Sequence, residues 1–403
     1  MVLFLHSRYR TTGGEERTVE DLMWVVREQL GEPAELLSRD PGEPPASLAR
    51  VRAATGLLYG GLRPSEVAGA VRLSGARVLH AHNLLPTLGW RALAAARAAG
   101  ARVVLHLHQY RLVCAVGVCF TAGAECTRCH GRDTLPGVRL NCRGSRAEAL
   151  AYGASLALWQ RRLVEQADAV VVPSEFARER LRELGAPLRW ERVRVLAPPL
   201  RALADEPPAS GAAREGRPPD ERLSPAAGPS PSEIAPCGDG PFALVVSRLS
   251  PEKGVDVAID ACREAGMALV VAGEGPQRAA LVERARGQRV RFVGQAGEAQ
   301  LARLRAQAAI ALVPSRSAES FGLAAAEALA AGLPVAASRV GALPELLGEE
   351  ALVTPGDAGA LAQAIARLAG DREAARRGLE RVRALCAPRV IARALTDLYD
   401  GST

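Results

Sequence analysis

The segment "FALVVSRLSPEKG" (residues 242–254) joins a short apolar run to two cations and decides the fold of its half of the chain. The apolar run has no polar face, which is typical of a strand buried on both sides of a parallel sheet. Arg248 and Lys253 follow at the carboxyl end of this strand, where open α/β sheets bind their ligands. The segment therefore predicts a parallel α/β sheet with a phosphate site at its carboxyl edge.

The same alternation of apolar runs and amphipathic stretches continues through both halves of the chain. Helices are predicted at stretches such as "SEFARERLRELG", with Ser174 as N-cap and Gly185 after the last turn. The whole pattern predicts an α/β protein with two Rossmann-like, doubly wound parallel-sheet domains that face a cleft. The predicted strands are "VLFLHS", "RVLHAHN", "ARVVLHLHQ" and "DAVVVPS" in the first half, and "FALVVSRL", "MALVVAGEG", "RVRFVGQ", "IALVPSR", "PVAASRV" and "ALVTPGD" in the second.

Composition and periodicity divide the chain into four parts. Residues 1–202 form the first predicted Rossmann-like domain, which carries a Cys-rich loop at 114–142. Residues 203–241 are rich in Pro, Ala and Gly and lack periodicity, which indicates a linker. Residues 242–385 form the second predicted domain. A last helix in 386–403 is expected to pack back on the first domain.

The chain has 403 residues and a formal net charge of +7. Its arginines are spread along the sequence without a polybasic run, so we expect a phosphate-bearing small substrate rather than nucleic acid. The apolar start "MVLFLH" is interrupted by "SRYR", which argues against a signal peptide or a membrane anchor. We therefore expect a cytoplasmic protein, with peripheral contact to a membrane surface left open.

Lys253 is the only lysine among the 51 basic residues of the chain. Arginine is a planar fork, whereas lysine is a compact point charge on a flexible stem that can turn toward phosphate oxygens. An ordinary surface lysine that compositional drift missed is the alternative. The position of Lys253 after a strand, beside Arg248, favours a phosphate contact.

The stretch "ESFGLAAAEALAAG" (residues 319–332) adds two carboxylates to these cations. The amides at the start of a helix after Gly322 would point at an anion. Glu319 lies beside that anion, and Glu327 lies about two turns along the helix. Carboxylates suit hydroxyl-rich groups rather than phosphate. The combination indicates a nucleotide sugar, and two solvated helix glutamates are the alternative.

Together these motifs resemble family 4 of the retaining glycosyltransferases, which have the GT-B fold and are also described as glycosyl transferases group 1. The resemblance is strong over about residues 241–360 and extends into the first half. It implies that the first domain binds a hydroxyl acceptor and the second a nucleotide-diphosphate sugar. The motifs that carry it are "SRLSPEKG", "VAGEGP", "RFVG", "ESFGLAAAE" and "GLPVAASRVGALPEL", with "GGEERTVEDL", "HNLLP", "LHQYRLVC" and "VVVPSEFARERL" in the first half.

The resemblance also implies roles for individual residues. Arg248 and Lys253 would bind the donor diphosphate, Glu327 the ribose hydroxyls, and His108 the transferred sugar. The family often has His-Asp where this chain has His108-Gln109, so Gln109 carries no assigned role. The predicted catalytic residues are His108, Arg248, Lys253 and Glu319, and the predicted donor-binding residues are Gly14, Ser247, Arg248, Lys253, Val293, Gly294, Glu319, Phe321, Gly322, Leu323 and Glu327.

The reaction that the resemblance implies is transfer with retention at the anomeric carbon, to a lipid, a glycan or a small natural product. Cations that stabilise the leaving diphosphate would supply much of the catalysis. The chain lacks an Asp-x-Asp motif, in agreement with a reaction that requires no cofactor. A GT-B nucleotide-sugar epimerase, a phosphorylase and a catalytically silent GT-B binding subunit are the alternatives, and the intact charged residues disfavour the last.

All histidines of the chain lie in its first half. Alternation along strands places His80 with His82, and His106 with His108, on a shared face. A metal site is one interpretation, but no carboxylate accompanies these histidines in the strands. Buried core imidazoles are the preferred interpretation for His80 and His106.

The pair Gly13-Gly14 follows the first predicted strand. A glycine pair lets backbone approach a phosphate closely. The resemblance puts this loop beside the donor phosphates and the acceptor, and an ordinary strand–helix turn is the alternative.

Five cysteines cluster in the loop at 114–142. The pair Cys126-x-x-Cys129 has the spacing of metal ligands, and Cys114 and Cys142 would complete a structural zinc site of four thiolates. Reduced, packed cysteines are the alternative, and Cys119 has no assigned role. Because the loop follows His108 directly, it could shape the acceptor pocket.

Overall fold

The structure is a computed structural model, and it describes residues 1–8, 13–39, 46–204 and 240–401. Most of the predicted linker at 203–241 lies outside the described residues. The described ranges contain two parallel sheets, each covered by helices, and a small hairpin.

The first sheet has six parallel strands in the order β2-β1-β3-β4-β7-β8, with a separate antiparallel hairpin of β5 and β6. β1, β3 and β7 are buried along their full length, as expected for a sheet covered on both faces, whereas the edge strands β2 and β8 contain charged residues and are only partly buried. The bounds are β1 (Val2–Ser7), β2 (Ala34–Arg39), β3 (Val78–Ala81), β4 (Arg102–His106), β5 (Phe120–Thr121), β6 (Ala124–Glu125), β7 (Ala169–Val172) and β8 (Val193–Val195).

The helices of the first half cover both faces of this sheet. At the start of α7 the Ser174 hydroxyl accepts the N–H of Ala177 at 2.9 Å, so the predicted N-cap is confirmed. Gly185 follows the last turn with φ 68°. The bounds are α1 (Gly14–Glu28), α2 (Ala46–Tyr59), α3 (Pro64–Ser74), α4 (Gly89–Ala98), α5 (Leu135–Arg139), α6 (Arg146–Glu165) and α7 (Glu175–Glu183).

The second sheet has six parallel strands in the order β11-β10-β9-β12-β13-β14. Numbered within the sheet, this is the order 3-2-1-4-5-6 of a Rossmann fold, which reverses between β9 and β12. Its bounds are β9 (Phe242–Val246), β10 (Ala268–Ala272), β11 (Val290–Gly294), β12 (Ile310–Val313), β13 (Val335–Ser338) and β14 (Leu352–Val353). The prediction of two doubly wound parallel sheets is confirmed.

After β9, helices alternate with the remaining strands of the second sheet as far as β14, and the last three helices then follow one another without a strand. The helices after β9 are α8 (Val255–Glu264), α9 (Arg278–Arg284), α10 (Glu298–Gln307), α11 (Leu323–Ala330), α12 (Leu343–Leu346), α13 (Ala358–Leu368), α14 (Arg372–Cys386) and α15 (Pro388–Asp400). None of the helices in the described residues is long and apolar enough to cross a membrane.

The last helix does not stay with the second sheet. In α15, Ile391, Leu395 and Tyr399 are buried in the same core as Val2 and Phe4 of β1. The chain therefore passes between the sheets twice, once after β8 and once between α14 and α15. The two passages lie side by side, because the N–H of Leu200 donates to the carbonyl of Cys386 at 3.1 Å.

Candidate active site

The carboxyl ends of β9 and β12 meet where the strand order of the second sheet reverses. At such a point the connecting chains diverge and leave a crevice, which is where open α/β sheets bind ligands. The segments 247–254 and 314–322 leave these two strands and line this crevice. They contain most of the charged residues that the sequence singles out.

Arg248 is held by its own loop. Its guanidinium donates to the Ser250 hydroxyl at 3.2 Å and to the Glu252 carboxylate. Burial raises the pKa of Glu252, but hydrogen bonds from Ser250 and the charge of Arg248 outweigh it and leave the pKa below its usual value. Arg248 still keeps 58% of its side chain exposed, so the guanidinium is accessible to an anion.

Lys253 and Glu319 form an ion pair across the crevice. Lys253 Nζ lies 2.6 Å from Glu319 Oε1, and the Ser315 hydroxyl donates to the same oxygen at 2.6 Å. Burial raises the pKa of Glu319, but the Lys253 charge and these hydrogen bonds bring it below its ordinary value. The carboxylate is therefore ionised at neutral pH, and a cation and an anion are fixed side by side.

Close backbone packing sets the path of the loop after β9. Gly273 follows β10 with φ 142°, and an added Cβ there would overlap the carbonyl oxygen of Ser247. The N–H of Ser247 donates to the Ala272 carbonyl at 3.0 Å. A larger residue at 273 would displace Ser247 and with it the neighbouring Arg248.

Glu327 of α11 connects the two domains. One of its carboxylate oxygens accepts from the guanidinium of Arg17 in α1, and the other accepts from Arg305 in α10. Burial lowers the pKa of Arg17, but the charge and hydrogen bond of Glu327 raise it overall. Gly322 begins this helix with φ 96°, a conformation that favours glycine, and Phe321 before it is buried in the core.

Ser320 lies between the two sheets. Its hydroxyl donates to the carbonyl oxygen of His108 at 2.7 Å, and its own carbonyl accepts from the Ser174 hydroxyl at 2.7 Å. Nearby, the Glu345 carboxylate accepts the backbone N–H groups of the first two residues of α7 at 3.1 and 2.7 Å. The carboxyl edges of the two sheets are therefore in direct contact around the crevice.

His80, His82, His106 and His108 form a histidine block on β3 and β4 and the residues that follow them. His80 Nε2 lies 3.2 Å from His106 Nδ1, and His82 Nδ1 lies 2.8 Å from His108 Nε2. The two pairs stack, with ring centroids 4.6 Å apart for His80 and His82 and 4.3 Å apart for His106 and His108. The hydroxyl of Tyr399 in α15 closes the block at 2.8 Å from His80 Nδ1.

Burial lowers the pKa of every histidine in the block, to about 3 at His80. Three of the residues, His80, His82 and His106, hold ligand nitrogens within 4.8 Å of one another. Two ring nitrogens of these residues, His82 Nε2 and His106 Nε2, are buried without a hydrogen-bond partner among the described residues. The hydrogen bonds within each pair and the lowered pKa values favour neutral imidazoles, and the three residues remain a group whose nitrogens could hold a metal ion.

The other predicted donor residues lie around the same crevice. An added Cβ on Gly14, the first residue of α1, would lie 3.0 Å from Leu323 Cδ2, so the two residues face each other across the cleft. Val293 and Gly294 end the edge strand β11, and the Gly294 carbonyl accepts from the N–H of Gly273 at 2.7 Å. The structure thus brings residues from the first loop, β11, the loop after β9 and α11 into one region.

The clustered cysteines surround a second, smaller space. Cys119 donates a hydrogen bond that lowers the pKa of Cys114 to about 6, although burial acts in the opposite direction. The thiols are free, and within the described ranges no three of their sulfurs lie within 4.8 Å of one another. This space is lined by all five cysteines of the loop, Cys114, Cys119, Cys126, Cys129 and Cys142. The four predicted zinc ligands therefore surround one small space without converging on one point.

Several residues of this region escaped the sequence analysis. Arg17 and Arg305 hold Glu327, but nothing distinguishes them from the other arginines of the chain. Glu345 reaches the start of α7 only because the fold brings the two sheets together. Glu252 was detectable, because it lies four positions after Arg248 within "SRLSPEKG".

Two Rossmann-like domains in contact along their carboxyl edges, with a charged crevice between them, define a protein with the GT-B fold. The Anabaena protein HepE in complex with UDP-glucose has the same architecture, with a TM-score of 0.61 at 19% sequence identity over 99% of both chains. A model of the family "Glycosyl transferases group 1" matches residues 240–371, and a model of the "Glycosyl transferase 4-like domain" matches residues 10–199. The chain belongs to the group 1 glycosyltransferase family.

Curated relatives match a shorter stretch. A glycogen synthase of Mycobacterium tuberculosis is 40% identical over 146 residues, which cover 33% of this chain and 35% of that protein. A GDP-mannose-dependent alpha-(1-6)-phosphatidylinositol dimannoside mannosyltransferase of Mycobacterium tuberculosis is 45% identical over 106 residues, or 25% of this chain and 28% of that protein. The chain thus spans about a third of the length of the curated relatives it matches.

Proposed function

We propose that this protein is a retaining glycosyltransferase that moves a sugar from a nucleotide-diphosphate sugar to a hydroxyl acceptor. The observation that carries the proposal is the Lys253–Glu319 pair beside Arg248, at the point of a Rossmann sheet where phosphate ligands bind. His108 of the first domain lies close to this pair, because its carbonyl oxygen accepts a hydrogen bond from Ser320, the residue that follows Glu319. Donor and acceptor groups thus have adjoining sites on the two domains.

The donor diphosphate would lie between Arg248 and Lys253. A guanidinium fork and an ammonium point charge complement two neighbouring phosphates, and both neutralise charge that grows as the diphosphate leaves. The backbone amides at the start of α11 supply further donors. The base would lie near Val293 and Gly294 at the end of β11.

The ribose is assigned to Glu327. Arg305 holds one carboxylate oxygen, and Arg17 reaches the other from the first domain with 42% of its side chain exposed. Ribose hydroxyls would replace Arg17 at this oxygen, because they donate the same kind of hydrogen bond to the carboxylate. Arg17 would then be released toward the cleft, where the donor phosphates lie.

The transfer step needs only groups of the protein and its two substrates. The acceptor oxygen bonds to the anomeric carbon on the face from which the diphosphate leaves. The bond between this carbon and the phosphate oxygen breaks with its electron pair on the diphosphate. The acceptor proton passes to the leaving phosphate oxygen, and the configuration is retained. Arg248 and Lys253 stabilise the diphosphate, so the proposed catalysis requires no cofactor.

A reducing compartment fits the state of the cysteines. All cysteines of the described ranges have free thiols, as is usual in cytoplasmic proteins. We propose the cytoplasm as the compartment of the reaction. Contact with a membrane surface depends on the acceptor.

The test is incubation with UDP- and GDP-sugars, followed by thermal shift and by NMR of the product. Transfer predicts a rise in melting temperature with one donor, because a ligand that binds the folded state stabilises it. It also predicts a product with the anomeric configuration of the donor. Release of free sugar phosphate without nucleotide would identify a phosphorylase, and an epimerised nucleotide sugar an epimerase. Donor binding without turnover under any acceptor would support a silent binding subunit.

A further inference from the structure

A cavity that is open to solvent lies beside His108 in the first domain. It lies between helices α2, α4 and α6 and the carboxyl ends of β3 and β4. We call it the tryptophan cavity. Its apolar walls include Gly56, Gly60, Trp90, Leu156, Trp159 and Leu163.

The apolar end of the tryptophan cavity is a fixed aromatic wall. The ring centroids of Trp90 and Trp159 lie 6.0 Å apart. The indole N–H of Trp159 donates to the carbonyls of Leu57 and Leu58, each at 3.1 Å, so it does not require a polar ligand. The guanidinium of Arg162 lies 5.2 Å from the Trp90 centroid and 5.4 Å from the Trp159 centroid. The indole N–H of Trp90, by contrast, is buried without a hydrogen-bond partner among the described residues. The wall therefore offers aromatic faces to an apolar group and one donor to a polar atom of the ligand.

The other end of the tryptophan cavity reaches the proposed reacting centre. His108, Gln109 and Glu15 line it there, and Gln109 Nε2 donates to Glu15 Oε2 at 3.2 Å. The carbonyl of His108 accepts from Ser320, which directly follows Glu319. A hydroxyl at this end would therefore lie next to the donor sugar.

Gln160 supplies one of several buried polar atoms on the cavity wall that lack a hydrogen-bond partner among the described residues, and the others include Trp90 Nε1, His82 Nε2 and His106 Nε2. The Gln160 side chain is 2% exposed, and its amide nitrogen donates to the Gly131 carbonyl at 2.7 Å. Its amide oxygen is buried and has no hydrogen-bond partner among the described residues. A ligand hydroxyl would satisfy this oxygen, as buried polar atoms normally require.

Exposed apolar side chains lie on two of the helices that line the cavity. Leu58 and Tyr59 end α2 with 53% and 59% exposure, and Leu158 precedes Trp159 in α6 with 51% exposure. They do not line the cavity themselves, but they place apolar side chains on the outer surface of the same two helices.

We propose that the acceptor of this protein is an amphiphile, with its reacting hydroxyl at His108 and its apolar portion in the tryptophan cavity. The inference rests on the proposed transferase function and adds the class of acceptor to it. The polar end of the cavity holds the head group, and the aromatic wall binds an alkyl, prenyl or aromatic group. The exposed residues Leu58, Tyr59 and Leu158 cover any part of that group that extends beyond the cavity.

The probe is a series of alkyl β-glucosides from methyl to decyl, below their micellar concentrations. Binding is followed by tryptophan fluorescence, because Trp90 and Trp159 line the cavity. We expect the Kd to fall about tenfold for each two added methylene groups until the cavity is filled. A Kd that is independent of chain length would overturn the proposal.

A matched pair of variants places the alkyl chain. Ser155 is 2% exposed and lines the tryptophan cavity, so Ser155→Leu fills it while Ser155→Ala leaves it open. We expect Ser155→Leu to raise the Kd of decyl glucoside about tenfold and Ser155→Ala to leave it unchanged. Leu163→Phe also fills the cavity and replaces Ser155→Leu in the experiment if that variant does not fold. Equal binding by filled and open variants would contradict the proposal.

Donor stabilisation is measured on the same variants and separates the two proposals. An amphiphilic acceptor is supported if nucleotide sugar still raises the melting temperature of Ser155→Leu while this variant no longer binds decyl glucoside. If the unmodified protein binds decyl glucoside but its melting temperature does not rise with any nucleotide sugar, the result would contradict the transferase function instead.

The origin of the amphiphile is decided by sedimentation with vesicles of phosphatidylcholine and phosphatidylglycerol. If the protein binds the vesicles and Leu58→Ser weakens this binding, the acceptor is a membrane lipid. If the protein does not bind the vesicles, the acceptor is an amphiphile free in solution.

Discussion

Lys253 shows why a single residue type matters in this crevice. Its ammonium lies 2.6 Å from Glu319 Oε1, and the proposed diphosphate would lie on its other side. A point charge with rotatable donors can contact both groups at once, whereas a planar guanidinium presents its donors in a fixed fork. At Arg248 a planar guanidinium is suitable, because one of its edges donates to Ser250 and Glu252 and the other edge stays available to an anion.

Replacement of Lys253 tests its assigned role. For Lys253→Ala we expect kcat/KM to fall by about 10²–10³-fold with the fold intact, because a charge that stabilises the leaving diphosphate is lost. Lys253→Arg should also be impaired, since its fork is bulkier and differently directed. Steady-state kinetics with the nucleotide sugar and circular dichroism provide the measurement.

Arg263→Ala is the matched control for this experiment. Arg263 lies at the end of α8 with 57% of its side chain exposed, away from the crevice. We expect its kinetics to equal those of the unmodified protein. Near-normal turnover by Lys253→Ala would rule out the diphosphate contact.

Sequence reasoning identified the crevice residues unequally. Lys253 and Glu319 were accessible because each follows a recognisable strand or precedes a recognisable helix. Arg17 was not, since its partner Glu327 lies in the other domain and no local pattern relates the two. Contacts across a cleft depend on how two domains meet, and periodicity within one element carries no information about that.

Strands β3 and β4 together carry the histidine block. Stacked, neutral imidazoles tolerate burial because they hydrogen-bond to each other in pairs. Alternation along each strand predicted that His80 and His82 share a face. The hydrogen bonds between histidines of different strands could not be predicted, because they depend on β3 and β4 being neighbours in the sheet. Tyr399, which ends the block, could not be anticipated, because it arrives from the last helix.

The histidine block makes stability depend on pH. His80, His82, His106 and His108 all have lowered pKa values in the folded protein, whereas the unfolded chain binds protons near the ordinary value of about 6.5. The free energy of unfolding is therefore highest above about pH 6.5 and decreases as the pH falls below it. Each histidine contributes a slope of up to about 1.4 kcal/mol per pH unit. Urea unfolding between pH 5 and 8 measures it.

His80→Gln removes one of these titrating groups. We expect the slope below about pH 6.5 to decrease by roughly a quarter, because one of four buried imidazoles no longer takes up a proton on unfolding. His130→Gln, at an exposed position in the Cys-rich loop, is the control and should leave the slope unchanged. If the free energy of unfolding depends on pH equally in His80→Gln and His130→Gln, the buried histidine block is not the cause of the pH dependence.

The Cys-rich loop contains little regular structure beyond the β5–β6 hairpin and α5, so a zinc ion would have a structural task there. The hypothesis predicts about one zinc per chain in protein prepared without chelator, measured by elemental analysis. Cys129→Ser should lose the metal and lower the melting temperature. Cys262→Ser, in α8 and far from the loop in the sequence, should keep it. Metal-free protein with an unchanged melting temperature would identify the cysteines as reduced, packed side chains.

At the scale of the whole molecule, α15 belongs to the first sheet. Leu395 is fully buried there with Val2 and Phe4. For Leu395→Ala we expect the free energy of unfolding to fall by about 2–5 kcal/mol, because a cavity opens in a packed core. Val390→Ala, on the same helix and 37% exposed, should change it by about 0.5 kcal/mol or less. Denaturant unfolding distinguishes the two, and equal effects would show that α15 contributes no core there.

The overall architecture was accessible from the sequence because both sheets consist of short apolar strands at regular intervals. The order of the strands was not, since the periodicity of β9 and β12 does not indicate that they are neighbours. The tryptophan cavity was equally inaccessible. Trp90 and Trp159 are about seventy positions apart, and only the packing of α2, α4 and α6 brings them together.

The two passages of the chain between the domains have a mechanical consequence. They are hydrogen-bonded side by side through Leu200 and Cys386, so both fix the same point of the boundary. We therefore expect any relative motion of the domains to be mainly a rotation about that point rather than a slide. The contacts that Ser320, Glu327 and Glu345 make with the first domain cross the same boundary, so a rotation that opens the cleft would break them together. On this expectation, release of a product and entry of the next donor would use the same motion.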